Sequence, residues 1–149
     1  MSHSQFDHIM WESRNNRPDG KQYHVHLSNF APKSVGKNPT IHSHVWVGDD
    51  VIIGDNVKIQ AFAFVPNGVT IGNDVFIGPH VCFTNDKNPP HGDFRETIVE
   101  DGVRIGANAT ILPGVILGAG CLIGAGAVVT KSVPTGETWL GNPARKYEV

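Results

Sequence analysis

Residues 41–83 read IHSHVWVGDDVIIGDNVKIQAFAFVPNGVTIGNDVFIGPHVCF. An apolar residue returns at every sixth position, at Ile41, Val47, Ile53, Ile59, Val65, Ile71, Ile77 and Phe83. Four positions after each of the first seven stands a small or β-branched residue: Val45, Val51, Val57, Ala63, Val69, Val75 and Val81. Glycine often comes directly after the large apolar residue, as at Gly48, Gly54, Gly72 and Gly78. A period of six is neither the helical 3.6 nor the strand period of two, so it marks a structural repeat.

A short strand with one large inward side chain, followed by a corner, bends the chain every six residues. Three bends close a triangular coil of eighteen residues, and stacked coils become parallel strands about 4.8 Å apart. The reading is an all-β, left-handed parallel β-helix of about five coils, with the hand taken from the unbroken hexad. The ladder resumes after a gap as Val99, Ile105, Ile111, Leu117, Ile123 and Val129, with Cys121 at a small inward position. The expected layout is an N-terminal cap or tail over residues 1–34, a β-helix over 35–133 and a C-terminal tail over 134–149. An open solenoid end exposes strand edges and core, which gives a cap its purpose.

The gap itself is residues 84–96, TNDKNPPHGDFRE, with adjacent prolines and several charges that no buried hexad would carry. It is expected as an extruded loop of about ten extra residues, and ordered excursions from a solenoid are usually functional. Two further expectations follow from the eighteen-residue register. Trp46, Phe64 and Cys82 stack on one outer face, an apolar stripe that suggests self-association, with a trimer the natural closed form for a three-sided rod. Along one corner, Ile77-Gly78-Pro79-His80, Ile105-Gly106-Ala107-Asn108 and Ile123-Gly124-Ala125-Gly126 leave backbone groups bare in a groove that an extended amide-bearing ligand fits.

The 149 residues suit one domain, and 12 basic against 14 acidic residues give a net charge of −2. That balance points away from nucleic acid and from an anionic membrane as partners. Neither a signal-like apolar segment nor a membrane-length apolar run is present, so a cytoplasmic protein is expected. His24 and His26 lack a third ligand at recognisable spacing, so no metal is expected.

From Val57 onward the wording resembles the hexapeptide-repeat acyltransferases, and within them the bacterial N-acetyltransferases of nucleotide-linked 3-amino sugars. The resemblance rests on Phe83-Thr84-Asn85-Asp86, on Ile105-Gly106-Ala107-Asn108-Ala109-Thr110-Ile111-Leu112-Pro113-Gly114-Val115, on Gly124-Ala125-Gly126-Ala127-Val128-Val129-Thr130-Lys131 and on Gly141-Asn142-Pro143-Ala144-Arg145. It implies a homotrimer with active sites between subunits and acetyl-CoA as co-substrate. The acetyl-CoA would lie beside Gly106, Ala107, Gly124, Ala125 and Gly126, its adenine end near Asn142 to Arg145 and its phosphates near Lys131 or Arg145. Asn85 would sit beside the acceptor amine of a nucleotide-linked sugar.

The chemistry leaves two acceptors open. A neutral amine attacks a thioester well, so an enzyme can work mainly by positioning, with Asn85 holding the amine. A hydroxyl wants a general base, and His91 on the loop or His80 at the groove are the candidates for a sugar O-acetyltransferase. Two readings from other classes remain, a non-catalytic solenoid and a metal protein resembling the γ-class carbonic anhydrases.

Overall fold

The computed structural model describes residues 30–149. The cap or tail expected over residues 1–34 falls up to residue 29 outside the described residues, as do His24 and His26. The chain winds as a left-handed parallel β-helix whose strands, mostly two residues long, form three sheets. One face carries Trp46–Val47, Phe64–Val65, Cys82–Phe83, Thr110–Ile111 and Val128–Val129. A second carries Ile52–Ile53, Thr97–Val99 and Ile116–Leu117 among its five strands, and the third carries Lys58–Ile59, Phe76–Ile77 and Arg104–Ile105 among its seven.

The inward column is fully buried from Ile41 to Val133, with Val47, Ile59, Val65, Ile77, Phe83, Ile105 and Ile111 showing no exposed surface. Burial of this kind is the main favourable term in folding, and here it repeats in every coil. Replacing one such residue by alanine, as in Ile77→Ala, is expected to cost about 2–5 kcal/mol in a denaturant titration. Cys121 is a member of the same column, and burial, with Glu100 nearby, pushes its thiol up to about 11. It therefore stays protonated at neutral pH and packs as a small hydrophobe.

The glycines after the inward residues have a steric cause. The Asp55, Asn73 and Asp101 side chains reach back one coil and accept hydrogen bonds from the backbone N–H of Lys37, Asp55 and Asn73 at 2.7, 2.8 and 2.7 Å. These oxygens lie directly over Gly36, Gly54 and Gly72, where any Cβ would collide with them.

Two features differ from the expected layout. The β-helix has about six levels instead of five, because Phe30 bridges to Val47 at one end and Val133 bridges to Leu117 at the other. Residues 134–149, expected as a tail, hold the strand Thr138–Leu140, which pairs in parallel with Leu122–Ile123 and then in antiparallel with Arg145–Lys146. Trp139 packs on the end of the core in the place of an aliphatic residue, sixteen residues after Ile123 instead of eighteen. That shortened spacing and the change of residue type took this coil out of the hexad pattern.

Candidate functional site

Across the loop the strand register steps by twenty-eight residues, Ile71 to Val99, where the preceding coil steps by eighteen, Ile53 to Ile71. Ten residues therefore leave the solenoid without disturbing its columns. They leave just after Cys82–Phe83, at the corner between the Trp46 face and the Ile52 face. Thr84 stays attached to the next coil, with both its N–H and its hydroxyl donating to the Ile111 carbonyl at 2.9 and 3.1 Å.

Asn85 is the first residue beyond that anchor. Its carbonyl accepts the Arg95 N–H at 3.2 Å, and Asp86 and Phe94 form an antiparallel bridge, so the loop returns beside its own start. Between this neck and the solenoid wall lies a pocket of about 550 Å³, lined by Asn85, Phe94, Arg95 and Glu96 from the loop and by Trp46, Asp50, Phe64, Pro66, Asn67 and Gly68 from the wall. Trp46 and Phe64 stack with ring centroids 4.9 Å apart, as their coil register requires. An aromatic wall opposite a few polar groups is the usual make-up of a small-molecule site.

Charge in the pocket is mixed. Asp50 accepts the Gly68 N–H at 2.8 Å, and Arg95 is held by Asp93 through two hydrogen bonds of 3.1 and 2.9 Å. The Arg95 hydrogen bond holds the Asp93 carboxyl below the usual carboxylate range. Because the folded value is the lower one, whatever the pair contributes is present at neutral pH and is lost as pH falls through the folded value.

Neither histidine singled out in the sequence lines this pocket, although His80 stands on the groove corner. His91 is exposed near the loop tip, with its backbone N–H donating to the Asn88 carbonyl at 2.9 Å, and it does not line the pocket. His80 stands on the corner between the Lys58 face and the Trp46 face, stacked on Phe62, which stacks in turn on His44, each pair 4.9 Å apart. All three have left-handed backbone, φ 59°, 65° and 58°, and Asn108 and Gly126 continue the same column at 60° and 70°. This aromatic column was missed in the sequence, although the spacing 44, 62, 80 carried the signal.

The groove residues do share one corner. Ile77, Ile105 and Ile123 are in register, which stacks Gly106-Ala107 beneath Gly124-Ala125-Gly126. Here backbone nests on backbone, since a Cβ on Gly106 would stand 2.5 Å from the Ala125 nitrogen. The C-terminal segment closes the upper end: the Val128 N–H donates to the Gly141 carbonyl and the Ala144 N–H to the Val128 carbonyl, at 2.9 and 2.8 Å. That puts Asn142 and Arg145 at the top of the groove, with the exposed Lys131 on the following corner. Among the described residues no group of three or more His, Cys, Asp or Glu side chains could hold a metal ion, and no helix is long and apolar enough to cross a membrane.

The profile of the bacterial transferase hexapeptide family (six repeats) matches residues 32–67, 50–85 and 96–131, more than half of the sequence. The chain belongs to the bacterial transferase hexapeptide family. Among relatives of this hexapeptide chain, the UDP-3-O-acylglucosamine N-acyltransferase of Caulobacter sp. strain K31 is 41% identical over 96 residues, 64% of this chain and 25% of that protein. Galactoside O-acetyltransferase of Escherichia coli strain K12 is 28% identical over 149 aligned residues, 92% of this chain and 73% of that protein. A mutant perosamine N-acetyltransferase from Caulobacter crescentus, solved in complex with CoA and GDP-perosamine, superposes with a TM-score of 0.72 at 25% identity, covering 84% of this chain and 56% of that one. The hexapeptide chain spans less than half the length of the first curated relatives it matches.

Proposed function

We propose that the protein is an acetyltransferase that moves the acetyl group of acetyl-CoA to the amine of a nucleotide-linked amino sugar, of the 3-amino-deoxy type, and that it works as a homotrimer with sites between subunits. The observation that carries the amine reading is the position of Asn85 on the wall of an aromatic pocket that neither His80 nor His91 lines. A relative that N-acylates a UDP-linked glucosamine and a structural neighbour crystallised with CoA and a GDP-linked sugar support the substrate class.

In this reading acetyl-CoA lies along the corner of Gly106, Ala107, Gly124, Ala125 and Gly126, with Lys131, Asn142 and Arg145 toward its nucleotide end. The Gly106, Gly124 and Gly126 N–H groups serve the coil stack, so the amides of the pantetheine arm pair with the backbone groups left over at Ala107 and Ala125. The Asn85 side-chain oxygen accepts a hydrogen bond from the acceptor amine and aims its lone pair at the thioester carbonyl carbon. The C–N bond forms, the C–S bond breaks, and the proton released by nitrogen passes to the departing thiolate. No protein base is needed, because the amine attacks in its neutral form.

Hydroxyl transfer is the competing reading, favoured by the long alignment with galactoside O-acetyltransferase. The two separate at His91. His91→Ala is expected to leave acetylation of an amino-sugar nucleotide within a few-fold of wild type in a thiol-release assay. A loss of about a hundredfold or more would make the loop histidine a base and move the proposal to hydroxyl acceptors.

A further inference from the structure

The loop that brings Asn85 to the pocket has an internal brace. Both oxygens of the Asp86 carboxylate accept backbone hydrogen bonds from the far side of the loop: Oδ1 from the Asn88 N–H at 3.0 Å and from the Asp93 N–H at 3.1 Å, and Oδ2 from the Gly92 N–H at 2.9 Å. Hydrogen bonds to an ionised acceptor are about twice as strong as neutral ones. The Lys87 N–H donates to the Asp93 carbonyl at 3.0 Å, so residues 87–93 form a closed tip above the neck. Gly92 supplies the left-handed backbone, φ 76°, that turns its N–H in a direction most residues take only under strain.

No hydrophobic core backs this tip: Pro89, Pro90, His91 and Gly92 are all exposed. The polar brace is thus what sets the loop's shape against the conformational entropy of a seven-residue excursion. Asn85 precedes Asp86, and Phe94 and Arg95 follow Asp93, so the residues the brace joins lie within two positions of three pocket-lining residues. We propose that Asp86 is a positioning residue for the acceptor pocket: its carboxylate locks the loop neck and so fixes Asn85, Phe94 and Arg95 relative to the Trp46 and Phe64 wall. The kinetic half of this proposal rests on the acetyltransferase reading above; the structural half does not.

Two readouts on the full-length protein test it. Trypsin cuts after Lys87, inside the braced tip, and after Arg95, two residues beyond it. In Asp86→Ala cleavage at these two sites is expected to be about tenfold faster, as local opening becomes cheaper, with cleavage at Lys58 and Arg104 in the coils unchanged. Under the same substitution the KM for the amino-sugar acceptor rises about tenfold, a modest fraction of what an ångström of misplacement can cost, while the affinity for acetyl-CoA on its separate corner stays within about twofold of wild type, no differential contact having changed.

Asp86→Asn is expected to fall between, because its Oδ1 still serves Asn88 and Asp93 while its amide group faces the Gly92 N–H. Unchanged loop cleavage in Asp86→Ala would overturn the brace. Faster cleavage with an unchanged acceptor KM would overturn the positioning role. A wild-type protein that acetylates no amine while Asp86→Ala still opens the loop would instead leave the brace standing and bring down the proposed function.

Discussion

Asn85→Ala is expected to lower kcat/KM for the amine acceptor about a hundredfold, the scale on which one well-placed polar group in an acyl-transfer site is felt. Asn85 follows the Thr84 anchor, is braced from behind by the Arg95 N–H, and faces an aromatic wall across the pocket. It belongs to no inward column, so the melting temperature of the variant should stay close to that of wild type. Steady-state rates at fixed, saturating acetyl-CoA, taken with a thermal melt, separate the two effects. Activity within twofold of wild type would take Asn85 out of the chemistry and leave the pocket without its central contact.

The second large effect concerns the groove corner, where two glycines of adjacent coils stand under different constraints. A Cβ on Gly106 would stand 2.5 Å from the Ala125 nitrogen and 2.9 Å from the Ala125 Cα, both backbone atoms of the next coil. Neither atom can retreat without opening the coil stack, so Gly106→Ala is expected to cost about 3 kcal/mol or more, at the upper end of overpacking effects. Gly126 also lies on this corner, but a Cβ there meets nothing within 4 Å. Its φ of 70° leaves only the left-handed penalty of about 1–2 kcal/mol for Gly126→Ala. Urea midpoints of the two variants measure the difference directly, and equal midpoints would contradict the nested-backbone account of the groove.

The regular coils were legible in the sequence because one residue in six does the same job at every level. Phe83 and Val99 show how far that reach extends: the ladder survives a ten-residue excursion because the columns resume in register on the far side. The last coil was not legible, since Trp139 fills in one step the space that aliphatic residues fill elsewhere, and the period shortens to sixteen. Periodicity identifies what is repeated, and an end is by nature unrepeated.

The pocket was half legible. Asn85 and the Trp46 and Phe64 stripe each stood out in the sequence, but as separate features, an amide on a loop and an apolar surface for self-association. What joins them is the path of the loop, which depends on hydrogen bonds between Asn85 and Arg95 and within residues 86–93, none of which follows a period. His91 drew attention by residue type, and the fold of the tip leaves it outside the pocket. His80 drew attention by motif, and the same register that built the groove stacks its ring on Phe62.

Acceptor-dependent release of CoA thiol from acetyl-CoA, measured across a panel of nucleotide-linked 3-amino and 4-amino sugars and their hydroxyl counterparts, tests the whole account most directly. Saturable thiol release with an amino sugar, and little with the matching hydroxyl compound, is the predicted result. Release only with hydroxyl acceptors, or none with any acceptor while the protein fails to bind acetyl-CoA, would contradict it.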